Sequence, residues 1–115
     1  GISGTKTLLK FFKDKTSIAL MIDQRVSEGI KINFFNKPAF TTTIPAQFVK
    51  KFGAKIVPIY IERNKFNEFN LVIHDPLIFN KSDSIESITQ QLNKVLEKMI
   101  SQNPDQWIWT HDRWK

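Results

Sequence analysis

The sequence predicts an α/β protein with a mixed sheet flanked by helices. Three observations lead there. Residues 41–52 and 84–102 repeat their apolar side chains at helical spacing. Residues 17–22 and 56–61 are short, nearly unbroken apolar runs, as in strands covered on both faces. Residues 30–34 alternate apolar and polar, as in a strand with one wet face. With a helix expected over 7–13 and a strand over 69–73, the order is α-β-β-α-β-β-α, a layered arrangement.

Each element has a local reason. Leu8, Leu9, Phe11 and Phe12 sit among lysines, and Asp14-Lys15-Thr16 ends that helix. The run 17–22 stops abruptly at Asp23-Gln24-Arg25. In open α/β sheets, ligands gather beyond the carboxyl ends of strands, so this charged cluster is a candidate site. The competing reading of Asp23 is a cap for nearby backbone groups. Residues 26–29 read as a loop in which Gly29 is free to take a positive φ. Ile30, Ile32 and Phe34 share one strand face, and Asn36-Lys37-Pro38 should end that strand.

In the helix over 41–52, Ile44, Phe48, Val49 and Phe52 make one stripe. Pro45 suits its first turn, and Gly53 its C-terminal cap. Pro58 cannot donate to a ladder, so the strand over 56–61 should carry a bulge or an edge there. His74-Asp75-Pro76 is a strand end turning into a loop. The stripe Ile85, Ile88, Leu92, Val95, Leu96, Met99 and Ile100 defines the longest helix. Asp83 followed by Glu86 resembles a capping box at its start, and Asn103-Pro104 stops it.

Composition limits function. With 115 residues, 41% of them hydrophobic and 24% charged, the chain suits one ordinary globular domain, or part of one, and excludes disordered and collagen-like classes. No cysteine is present, which removes disulfides, thiolate metal sites and a cysteine nucleophile. No apolar run approaches the roughly 18 to 20 residues of a membrane span, and the start is not a signal peptide. Without an initiator methionine, the chain reads as a piece of a longer protein. Residues 1–7 glance at a phosphate loop, but Thr5 separates Gly4 from Lys6 and no strand precedes; they read as a flexible connection into the first helix. His74 and His111 are far apart with no metal-ligand spacing, and no cofactor is expected. The net charge of +6 with many aromatics admits nucleic acid or anionic lipid as partner. The lysines are dispersed, however, and no nucleic-acid motif accompanies them.

The tail holds all three tryptophans, Trp107, Trp109 and Trp114, within eight residues. Their indole N–H groups need acceptors, for which Gln106, His111 and Asp112 stand nearby. Residues 104–115, Pro-Asp-Gln-Trp-Ile-Trp-x-His-x-Arg-Trp-Lys, resemble the ending of the bacterial lipid A biosynthesis acyltransferases. Asp23-Gln24, Gly29 and Phe34-Phe35 resemble another segment of that family. So do Pro38-Ala39-Phe40-Thr41-Thr42, Gly53-Ala54-Lys55-Ile56-Val57-Pro58 and the basic Arg63. Asn36 departs from the usual glycine, which touches only the local turn.

The resemblance implies the C-terminal part of a glycerolipid-acyltransferase-like fold. It implies transfer of a fatty acyl chain from acyl carrier protein to a hydroxyl of a lipid A precursor. An N-terminal anchor would hold the enzyme on the cytoplasmic face of the bacterial inner membrane. A His-x4-Asp/Glu motif would supply the general base. Neither histidine here fits: five residues after His74 stands Phe79. The motif belongs upstream, so the chain should be inert alone, and its first strand, begun inside the fold, lacks neighbours. Site-lining roles fall to Asp23, Gln24 and Arg25, with Arg63 as a partner for substrate phosphate or for the acidic carrier protein. The alternatives are a non-catalytic basic module that docks on anionic membrane or nucleic acid, and the same enzyme fold with another glycolipid acceptor.

Overall fold

The computed structural model describes residues 2–115; Gly1 lies outside the described residues, as do the side chains of Ile2 and Ser3. In chain order the elements are α1 (Ile2–Lys13), β1 (Ile30–Phe34), β2 (Lys37–Thr41), α2 (Ile44–Phe52), β3 (Ile59–Arg63), β4 (Phe69–Ile73), α3 (Ile85–Gln102) and a 3-10 turn, η1 (Pro104–Gln106). Three helices and two small sheets make this an α/β protein. The single mixed sheet is not found. Instead β1 pairs with β2, and β3 with β4, as two separate antiparallel hairpins.

The first hairpin corrects the reading of Asn36-Lys37-Pro38 as a strand end. The chain turns through Phe35 (φ 48°) and Asn36 (φ 60°) and returns at once as β2, with Phe34 opposite Lys37. Two positive φ values in a two-residue loop mark the tight turn that matches strand twist. Asn36 fills a left-handed position that asparagine tolerates. Because β2 takes residues up to Thr41, α2 starts at Ile44 and is shorter than its apolar stripe suggested. Pro45 is in its first turn, and Gly53 (φ 63°) ends it, donating to the Val49 carbonyl at 3.0 Å. Gly29 has a different reason from the one expected. It takes no positive φ; a Cβ there would run into the backbone carbonyl of Thr41.

Helix α3 organises the core. Ile88 and Leu92 pack with Ala46 of α2, and the half-buried Ile22, Val49, Ile56, Leu77, Phe79 and Ile85 close around them. Further along, Ile100 packs with Phe34 and Ala39 of the first hairpin, under Phe35, Leu96, Trp107 and Trp114. A polar row on α3 fastens the same hairpin. Gln90 Nε2 and Asn93 Nδ2 both donate to the Asn33 carbonyl at 3.1 Å, and Glu97 Oε1 accepts the Phe35 N–H at 2.8 Å. Helix α1 begins earlier than its apolar residues suggested, so residues 2–6 are helical rather than a loose connection. It packs through Phe12, stacked on Phe48 at 5.1 Å and tilted against Phe52 at 5.7 Å.

The start of α3 is capped one residue later than expected. Ser84 is the N-cap, its hydroxyl accepting the Ser87 N–H at 3.0 Å. Asp83 stands just outside and accepts from the Gln91 amide, the Asn80 N–H and the Ser87 hydroxyl. These bonds, that to Gln91 foremost, hold the Asp83 carboxyl below its usual value. A depressed folded-state pKa contributes stability above the unfolded value, lost as pH falls through the folded one. Thermal melts run from neutral pH to below the usual Asp pKa of about 3.9 should therefore show an acid limb that flattens in Asp83→Asn. An identical limb in the variant would assign it to other groups.

Two apolar runs are not the buried strands they were expected to be. Residues 17–22 form no strand, and none of the backbone hydrogen bonds outside helices and strands falls on residues 17–25. A strand exists only through its neighbours, and no described segment lies alongside this one as a strand. The run 56–61 becomes β3 only from Ile59, just past Pro58, and is largely exposed. The absent ladder donor at Pro58 explains where it starts. Among the described residues, no helix is long and apolar enough to cross a membrane.

Candidate functional site

Asp23-Gln24-Arg25 follows the apolar run 17–22 and meets the C-terminal tail. Asp23 Oδ2 accepts the Trp107 indole N–H at 3.1 Å. The Arg25 N–H donates to His111 Nε2 at 3.3 Å, and Arg25 Nε donates to the Lys115 carbonyl oxygen at 2.6 Å. Its guanidinium also reaches Ser27 Oγ at 2.9 Å and lies 5.5 Å from the Phe40 ring centre. Gln24 is exposed and takes no hydrogen bond among the described residues.

Arg113 is the centre of this junction. It is fully buried, 5.2 Å over the Phe34 ring, and it donates to the Phe40 carbonyl at 2.5 Å and to Thr41 Oγ1 at 2.8 Å. Burial pushes its guanidinium pKa down, and the Asp23 carboxylate pushes it back up. No carboxylate pairs with it at salt-bridge distance among the described residues. Asp23 thus compensates Arg113 through space while bonded to Trp107. A guanidinium stays charged in such a setting, so the half-buried carboxylate is worth more here than on an open surface.

The tryptophans find other acceptors than their sequence neighbours. Trp109 Nε1 donates to the Pro104 carbonyl at 2.6 Å and Trp114 Nε1 to the Phe34 carbonyl at 2.9 Å. Trp107 and Trp109 meet edge to face at 4.6 Å, and Trp114 stacks on Phe34 at 5.6 Å. The tail is therefore a clamp over the first hairpin, and Asp23 and Arg25 are its fixed points on the other side. Sequence reasoning placed Asp23 and Arg25 but left out Arg113, Trp107 and His111 as their partners. Their long separation in the chain leaves no local pattern to read.

Arg63 is not brought into this cluster. It ends β3, where its N–H donates to Gln106 Oε1 at 2.8 Å and its carbonyl accepts Gln106 Nε2 at 2.9 Å. Its side chain is exposed, and only the step from Gln106 to Trp107 links it to Asp23. No group of three acidic or histidine side chains that could hold a metal ion occurs among the described residues.

The hairpin, the helix and the tail around the buried arginine all lie within one sequence match to known proteins. The sequence profile of the bacterial lipid A biosynthesis acyltransferases matches residues 2–115. The chain belongs to that family. It is similar to the lipid A biosynthesis lauroyltransferase of Escherichia coli (strain K12), with 31% identity over 83 residues. That match covers 71% of this chain and 27% of the relative, so it spans about a quarter of the relative's length.

Proposed function

We propose that this chain is the C-terminal part of an acyltransferase that moves a fatty acyl chain from acyl carrier protein to a hydroxyl of a lipid A precursor. The supporting observation is the family match across residues 2–115, with Asp23 and Arg25 held against the matched tail. The base of the reaction, a histidine supported by a carboxylate, comes from outside these 115 residues. This part contributes the Asp23 side of the site. Asp23 Oδ2 is taken by Trp107, and Oδ1 carries no hydrogen bond among the described residues. Gln24 beside it is exposed, and the Arg63 guanidinium, which makes no hydrogen bond among the described residues, is offered to a phosphate or to an acidic carrier surface. The complete enzyme works at the cytoplasmic face of the inner membrane.

The test is acyl transfer from an acyl carrier protein thioester to a lipid A precursor. The 115-residue chain alone should give no turnover, and the polypeptide extended in its own reading frame should give it. In the extended protein, Asp23→Asn keeps an acceptor for Trp107 and removes the charge. It should lower turnover at least tenfold with the fold intact. Transfer by the chain alone would overturn the division of the site; unchanged turnover in Asp23→Asn would remove Asp23 from it.

A further inference from the structure

The β3–β4 hairpin presents an apolar face that nothing in the described chain covers. Register places Ile59 opposite Ile73, Ile61 opposite Leu71, and Arg63 opposite Phe69. These residues share one face, and the five apolar ones are between 51% and 71% exposed. The opposite face is the occupied one: Asn103 Nδ2 of the α3 C-cap donates to the Tyr60 hydroxyl at 2.7 Å and to Glu62 Oε2 at 2.9 Å. An apolar face of this kind on a folded chain marks a contact surface.

The backbone edge is open on the same element. The His74 N–H bonds to the Pro58 carbonyl and the Asn64 N–H to the Glu68 carbonyl. Antiparallel pairing alternates, so the bonds across to β4 continue through Tyr60 and Glu62. The N–H and C=O groups of Ile59 and Ile61 therefore point outward along the edge. Arg63, next in that outward series, has both groups satisfied by the Gln106 amide, which stands in for a neighbouring strand. A second unpaired stretch, residues 17–22, exposes Leu20 and Met21.

We propose that the outward β3–β4 face and the β3 edge seat the remainder of an acyltransferase-length polypeptide, which adds backbone pairing at Ile59 and Ile61 and an apolar layer over Ile61 and Leu71. This rests on the acyltransferase reading above, because the chain matches only 27% of its lauroyltransferase relative and the rest of such a protein must pack somewhere. A polypeptide is favoured over a lipid surface by the open edge. Hydrocarbon cannot satisfy unpaired N–H and C=O groups, whereas a strand can.

These 115 residues have no cysteine, and any cysteine in the extended polypeptide is replaced by serine, so that each introduced thiol is the single one. Ile61→Cys and Leu71→Cys, at exposed positions, should react rapidly with a maleimide in the 115-residue chain. In the polypeptide extended in its own reading frame, both should react at least tenfold more slowly. A control thiol at Glu86→Cys, in the exposed first turn of α3, should change little. Circular dichroism checks each variant's fold. Equal rates at positions 61 and 71 in the two proteins would overturn the proposal, as would a reading frame that encodes no further polypeptide. So would protection that rises with concentration of the short chain, which means a second copy, or protection by anionic vesicles alone. Acyl transfer is assayed separately. Slow labelling without turnover would leave the docking face standing and remove the acyltransferase assignment; turnover without slow labelling would do the reverse.

Discussion

Replacing Arg113 with alanine should destabilise the chain by about 3 kcal/mol, within the range seen when a buried, hydrogen-bonded charge site is broken. The guanidinium donates to the Phe40 carbonyl and to Thr41 Oγ1 and lies over Phe34. Truncation takes a charged donor from the Phe40 carbonyl and from Thr41 Oγ1, and opens a cavity against the Phe34 ring. It also removes the positive charge that faces Asp23. Arg113→Lys keeps the charge but loses the planar fork, so it should recover only part of the stability. Urea unfolding followed by tryptophan fluorescence reads both variants, because all three tryptophans lie in the tail that Arg113 helps anchor. A change below about 1 kcal/mol for Arg113→Ala, the scale of an ordinary surface hydrogen bond, would show that the tail does not depend on this anchor.

Phe34→Ala should have an effect of similar size, about 4 kcal/mol on the scale of buried aromatic truncations. Phe34 is fully buried at the end of β1. Phe35, Trp107 and Trp114 surround it with ring centres between 4.9 and 5.9 Å away. Ala39 and Ile100 complete the cluster. No single neighbour can fill the space, because each indole is tied by its own hydrogen bond: Trp107 to Asp23, and Trp114 to the Phe34 carbonyl. Phe34→Leu should cost much less, since it keeps most of the volume. The check is the difference between the two midpoints in denaturant at constant slope. Equal midpoints would mean that the tail collapses into the gap.

The two variants bear on function as well as stability. The tail carries much of the family resemblance, and its contacts reach Asp23 and Arg25 across more than eighty residues of chain. Loosening Arg113 should therefore disturb Asp23 through the lost charge, and loosening Phe34 should do so through Trp107. Residues in one network couple, so Arg113→Ala and Asp23→Asn should combine non-additively.

Part of this protein is legible in its residues alone. The stripe from Ile85 to Ile100 is a helix because its apolar spacing repeats with the turn, whatever packs against it. Alternation in Ile30, Ile32 and Phe34 gives a half-buried strand for the same local reason. Gly53 ends α2 because a left-handed residue is needed there and glycine adopts it freely. The tail motif points to the acyltransferase family, and the match over residues 2–115 agrees. Other features depend on what lies across space. Phe35 and Asn36 form a hairpin turn only because Lys37–Thr41 finds a strand to pair with, where the dipeptide Lys37-Pro38 by itself suggests a stop. Residues 17–22 and 56–61 have the composition of buried strands, yet burial is a property of neighbours, and the described chain covers them only in part. Asp23 is likewise unreadable as the partner of Trp107 and Arg113, because hydrogen bonds and charges act through distance in space, and 84 residues of chain separate Asp23 from its indole.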